Sequence, residues 1–221
     1  NKGDREIVAH ILFAVFQNYG KQNNPDMATD YWDRAYKGFV ALEQRFPQLL
    51  LLVDKITFLR STNAVDSARQ LELKAINLVE KVEDLKLKGL MFFVIGNHYL
   101  FNQGRVNLTL EYYLRSADAL EEIEGDLLYM QLFNLLGAAY QRSGNYEKAV
   151  VTFEKVLKYY QAIVNSNKEI SEGLERLMIW VYGNIANPLI AQNKFKEAES
   201  YLELAQPIAV KYHMTTAYGR Y

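Results

Sequence analysis

The sequence contains no cysteine, and that single absence excludes a disulfide framework, a thiolate nucleophile and any zinc site built on sulfur. It suits a reducing compartment, so a cytoplasmic location is expected. Charge of one sign is also missing: 25 basic residues face 26 acidic ones, for a formal net charge of -1. Without a basic tract the chain lacks the electrostatic footprint through which stand-alone nucleic-acid binders gain most of their affinity. Apolar runs never approach the roughly 18 residues that a membrane span needs. No signal-peptide pattern follows Asn1 to Arg5. Prolines number only four, and no Ser/Gly-rich stretch breaks the sequence, so one continuous body spanning residues 1–221 is expected. The chain does not open on Met and is read as a piece of something longer.

Catalytic signatures are equally scarce. His10, His98 and His213 are too scattered to form a metal set, and neither HExxH nor Gly-x-Ser-x-Gly occurs. Gly20-Lys21 has no Gly five positions earlier and no Ser or Thr after it, so it is no phosphate loop. The Asn107-Leu108-Thr109 sequon carries no meaning without secretion, and the acidic run Glu121 to Glu124 reads as solvated surface. Neither an enzyme nor a cofactor is expected.

What the sequence does contain is helical periodicity. Segments rich in Leu, Ala, Glu, Lys and Gln carry apolar residues at spacings of three and four, and nothing alternates with period two for long, so the fold class is all-α. A repeat runs through it. Its clearest copy, Met130 to Gln161, places Phe133, Leu136, Gly137 and Tyr140 on one helix, a turn at Ser143-Gly144-Asn145, and Tyr146, Ala149, Phe153 and Val156 on a second. Gly137 and Ala149 leave room for two antiparallel helices to approach, while Tyr140 and Phe153 fill the space between units. The preceding copy has Phe92, Ile95, Gly96 and Tyr99, a turn at Gly104, then Thr109, Tyr113 and Ser116, with one extra turn residue. The following copy has Tyr182, Ile185, Ala186 and Leu189, a turn at Asn193, then Phe195, Ala198, Leu202 and Ala205. Degenerate copies at Ala28, Trp32 and Ala35, and at Ala68, Glu72 and Ala75, precede them.

The second-helix markers Ala28, Ala68, Thr109, Ala149 and Ala198 are separated by 40, 41, 40 and 49 residues. An Asn precedes each second helix (Asn24, Asn63, Asn107, Asn145, Asn193), suited to turns and caps. These features predict five helical hairpins, at about 7–45, 47–83, 86–123, 126–163 and 170–213, with the start of a capping helix over 214–221.

The order of small residue, aromatic, Ala and Phe resembles the tetratricopeptide repeat (TPR), which implies a right-handed superhelix with first helices on the concave side. Units near 40 residues resemble the peptide-sensing RRNPP family of Gram-positive regulators, which includes the Rgg, PlcR and PrgX types. That resemblance implies a short signalling peptide bound in the concave groove. It also implies quorum sensing and transcription regulation, with DNA reached only through a helix-turn-helix domain that this chain does not carry before Ile7. The apolar edge of a repeat array further suggests a homodimer.

Side-chain amides satisfy both the N–H and the C=O of an extended peptide. Counting from the small residue at the eighth repeat position gives groove-facing Gln131, Asn134, Gln141 and Arg142 in the fourth unit, Phe93, Asn97 and Phe101 in the third, and Trp180 and Asn187 in the fifth. Asn184 shares a helical face with Asn187. Pro188 removes the donor to the Asn184 carbonyl, so a kink is expected. Arg142 is the candidate partner of a peptide carboxylate, and equally a cation complementing a helix C-terminus. The asparagines could equally bond between repeats, and the aromatics could serve packing alone.

The alternative reading is a TPR scaffold that binds a protein partner. Carboxylate clamps place Lys and Arg at the fifth and ninth positions; here these are Phe93, Asn97, Asn134, Ala138, Gly183 and Asn187. A phosphatase of the related Rap kind would require a helical bundle ahead of the repeats, for which there is no room before Ile7.

Overall fold

The computed structural model describes residues 1–22, 24–120, 127–166 and 169–214. Among them are ten α-helices, one π-helical segment and no strand. The acidic run at 121–124 and the capping helix expected beyond Met214 lie outside the described residues.

The chain divides into two compact units, Asn1–His98 and Tyr99–Tyr221. In the first, α1 (Lys2–Lys21) pairs with α2 (Pro25–Ala41) and α3 (Arg45–Ser61) with α4 (Val65–Glu80), while α5 (Leu85–Asn97) packs on both α3 and α4. Small residues set the spacing. A side chain at Gly38 would bring its Cβ to 3.0 Å from the Cβ of Ala9. Ala28, Ala35, Ala68 and Ala75 are buried on the second helices. Trp32 is buried as well, and its indole Nε1 donates to the Leu51 carbonyl at 2.8 Å, tying α2 to α3. The degenerate second copy has its own logic: Glu72 occupies the place that Phe153 holds in the clear repeat. It is buried and accepts from the Arg60 guanidinium at 2.6 Å and 3.1 Å.

In the second unit α6 (Val106–Ala119) packs on α7 (Leu127–Arg142). Helix α7 pairs with α8 (Tyr146–Asn165), α8 adjoins α9 (Glu172–Ala191), and α9 pairs with α10 (Phe195–Lys211). The close approach read at Gly137 is present: a Cβ there would fall 2.6 to 2.8 Å from three ring carbons of Phe153, which is fully buried. The far end is fastened where the Tyr212 hydroxyl and Lys211, the latter at 2.6 Å, both donate to Glu175. Helix α9 runs through Pro188 without interruption to Ala191.

The expected asparagines divide by role. Asn24 and Asn145 cap their helices, accepting from the backbone N–H of Met27 and Lys148. Asn63 and Asn193 instead adopt left-handed backbone, with φ of 61° and 60°. Asn107 does neither, because α6 already begins at Val106. The one-residue excess in the third copy is taken up inside the rod. Residues His98–Gln103 are π-helical, and the turn closes at Gly104 (φ 62°) with the Arg105 N–H reaching six residues back to the Tyr99 carbonyl. At the other clear turns this bond spans five residues, as from Asn145 to Tyr140.

Candidate functional site

Helix α7 turns Met130, Phe133, Leu136 and Gly137 into the core of its unit, and that packing decides what its other positions present. Gln131 is exposed, Gln141 half-buried, and Arg142 lies exposed in the last turn. Asn134 is different: it is 6% exposed, and its Oδ1 accepts from Asn184 Nδ2 on α9 at 3.0 Å. Asn184 and Asn187 are both half-buried, and Trp180, one turn earlier on α9, is 49% exposed. The structure therefore brings Asn134 and Asn184 together, with Asn134 beneath and Asn184 nearer the surface. The α7–α9 surface thus combines amide donors and acceptors with one open indole. The bond uses the Nδ2 of Asn184, so it orients that side chain and leaves its Oδ1 as an acceptor.

Of the remaining sequence candidates, Phe101 stands in the π-helical segment at 65% exposure. Phe93 and Asn97, half-buried on α5, belong to the first unit.

The first unit contains a groove that the sequence reading did not mark. It holds about 420 Å³ between α1 and α3, with Phe16 and Phe58 among its lining residues and Gln17, Lys21, Asp54, Thr57 and Ser61 as its polar ones. Gln17 Nε2 donates to Asp54 at 2.7 Å. Burial pushes the Asp54 carboxyl above the usual range, against the smaller opposing effect of that bond. A signal was present: the register counted back from Ala28 and Ala68 puts Gln17, Lys21, Thr57 and Ser61 at the ninth and thirteenth positions of their first helices. Asp54 stands outside that register.

Behind the groove, Thr57 Oγ1 lies 3.4 Å from His98 Nδ1. Burial holds the His98 imidazole down at about 4, with Glu72 and Arg60 acting in opposite senses. Among the described residues no cluster of three or more His, Asp or Glu could hold a metal ion, and no helix is long and apolar enough to cross a membrane.

Residues 92–162 match the tetratricopeptide repeat family model. No curated protein sequence matches the chain. Several solved structures resemble it. A kinesin light chain of Podosopora anserina with nearly identical TPR-like repeats is 14% identical, with 93% of this chain and 96% of that one covered at a TM-score of 0.66. BtubC from P. vanneervenii is likewise 14% identical, over 93% and 82% of the two chains, at a TM-score of 0.67. The apo form of RapI is 14% identical, over 94% and 85%, at a TM-score of 0.51. At such identities the likeness is one of fold. The chain is thus an all-helical protein of TPR-like repeat fold, and residues 92–162 carry the tetratricopeptide pattern itself.

Proposed function

We propose that this chain is a peptide-sensing TPR module of a bacterial cytoplasmic quorum-sensing regulator, and that it holds a short extended signalling peptide on the amide-bearing surface of α7 and α9. The observation that carries the reading is the Asn184 to Asn134 hydrogen bond at 3.0 Å. A buried amide orienting a half-buried one is how a protein presents a fixed backbone reader rather than a solvated side chain. Asn184 and Asn187 then read peptide N–H and C=O groups, Asn134 fixes Asn184, and Gln131 and Gln141 extend the row. Trp180 covers an apolar peptide side chain and Arg142 receives a carboxylate. Phe101, in the same unit, adds an exposed aromatic ring for the peptide in this reading.

Calorimetric titration with a panel of short hydrophobic peptides tests it. At least one peptide is expected to bind more tightly than about millimolar, and Asn184→Ala should weaken it by roughly tenfold, the value of one lost amide contact. Failure of every peptide, or indifference to Asn184→Ala, overturns the reading.

A second reading, a scaffold that binds a protein partner or a second copy of itself, draws on α1, where Ile7, Val8 and Ile11 stand 60%, 53% and 57% exposed. Light scattering separates the two forms of it. A dimer dissociated by Ile7→Glu with Ile11→Glu would place self-association there.

A further inference from the structure

The first unit has a further groove on its second helices, about 470 Å³ in volume, formed by α4 together with Tyr36 of α2. Its lining repeats with the period of a helix face. Gln70 and Asn77 stand one heptad apart on α4, and so do Lys74 and Lys81, with Leu73 on the same stripe at 59% exposure. Residues three and four apart share a face, so these side chains run as one band along the rod. Every charged side chain on that lining is a cation. The acids of α2 and α4 lie off it: Asp30, for one, pairs with Arg34, and Glu72 is buried against Arg60.

Lys74 is held in place. Its ammonium sits 4.1 Å from the centre of the Tyr36 ring, and that ring is stacked on the buried Trp32 with centroids 5.0 Å apart. An aromatic face positions an ammonium without neutralising it, so the charge stays available at a fixed point. Among the described residues no carboxylate pairs with Lys74 or Lys81. Lys81 closes α4, where a cation complements the helix C-terminus, and Arg45 donates to the Lys81 carbonyl at 2.5 Å in the same place. Lys74 lies two turns earlier, beyond the reach of that effect. Helix-end electrostatics therefore account for Lys81 but not for a second cation on the same stripe.

We infer that this α4 face docks an acidic amphipathic helix of a partner protein, with carboxylates seven residues apart on Lys74 and Lys81 and an aliphatic side chain against Leu73 and Tyr36. Sign selects the occupant first: an anionic partner gains at both lysines and a cationic one is repelled at both. Spacing selects next. The two lysines are about 10 Å apart along α4, the repeat of a helix lying alongside rather than the width of one small anion. Leu73 and Leu78 then offer an apolar contact that a free polyanion cannot use. The face shares no residue with the amide surface of α7 and α9, nor with Ile7, Val8 and Ile11 on α1, so each reading can fail without the others.

The experiment titrates the ¹⁵N-labelled full chain with a capped helical peptide of three Glu-Ala-Ala-Leu-Leu-Ala-Gln repeats, at concentrations where the peptide is monomeric, following assigned backbone amides. The comparison probes are the same peptide with Gln for every Glu, the same peptide with a central Ala replaced by Pro, and tripolyphosphate. The acidic helix is expected to shift Tyr36, Leu73, Asn77 and Lys81, and the Gln form to bind about tenfold more weakly, two exposed ion pairs at roughly threefold each. Lys74→Gln combined with Lys81→Gln should weaken the acidic helix by a similar factor and leave the Gln form unchanged. Leu73→Glu, which removes the apolar contact and adds a like charge, should abolish the shifts. Thermal melts confirm that both variants are folded. Equal affinity for the acidic and Gln forms, shifts confined to other residues, or full retention by the double lysine variant would overturn the proposal. The Pro form binding as tightly would mean an extended segment, and tripolyphosphate binding as tightly a general anion patch; either result overturns it too.

Discussion

Asn184 on α9 donates its side-chain amide to Asn134 on α7 at 3.0 Å, and Asn134 is itself nearly closed to solvent. The pair ties two first helices of neighbouring repeats through polar groups in a unit whose core is largely apolar. Replacing Asn134 by Ala strands the Asn184 amide and should cost about 1 to 3 kcal/mol of stability. A double-mutant cycle with Asn184→Ala is expected to show coupling of about 1 kcal/mol in urea unfolding. Strict additivity would mean the bond contributes nothing to the fold.

Two glycines of the same unit should respond oppositely to one methyl group. At Gly137 the added Cβ falls 2.6 to 2.8 Å from the buried Phe153 ring, and overpacking of this kind should cost about 1 to 3 kcal/mol. At Gly183 nothing lies within 4 Å of the added atom, so Gly183→Ala should stabilise its helix by up to about 1 kcal/mol. Denaturation midpoints of the two variants should therefore move in opposite directions.

His98 sets an acid limit on the first unit. Its folded pKa, near 4, lies below the ordinary 6.5, because burial disfavours the charged ring. Thr57 faces it, and so do Glu72, which favours protonation, and Arg60, which opposes it. The unfolded chain gains a proton before the folded one does, so stability is intact above pH 6.5. About 3 kcal/mol should disappear as pH falls toward 4. Unfolding free energies of the natural chain and of His98→Gln across that window should converge or cross as the pH drops, since the variant lacks this proton uptake.

Trp32 offers a simpler test. Its Nε1 donates to the Leu51 carbonyl in a buried setting, and Trp32→Phe removes both that bond and ring volume. A loss of about 1 to 3 kcal/mol is expected, measured by guanidinium unfolding.

The helical array was readable because its spacing is imposed by contact. Ala28, Ala68, Thr109, Ala149 and Ala198, the residues that mark the repeat, are all small and all buried at 2% exposure or less. Turn chemistry was only half legible: Asn63 and Asn193 use the left-handed tolerance of asparagine and Asn24 and Asn145 its capping oxygen, and composition does not distinguish the two. Register also marked Gln131, Gln141 and Asn187 for attention, but not that Asn134 sits under Asn184. That depends on how deeply α7 and α9 interlock. Asp54 escaped notice for a related reason. Its place in the groove depends on what α1 brings opposite it, Gln17 above all.

The widened coil from His98 to Gln103 shows how this architecture copes with odd-length change. A surplus residue in a connecting loop would alter where the next rod starts. Swallowed into one broad turn of a rod, it is hidden, and the chain still turns on a left-handed glycine at Gly104 as it does at Gly144. One broad turn thus lets a rod absorb a single extra residue while the corner that follows keeps its glycine.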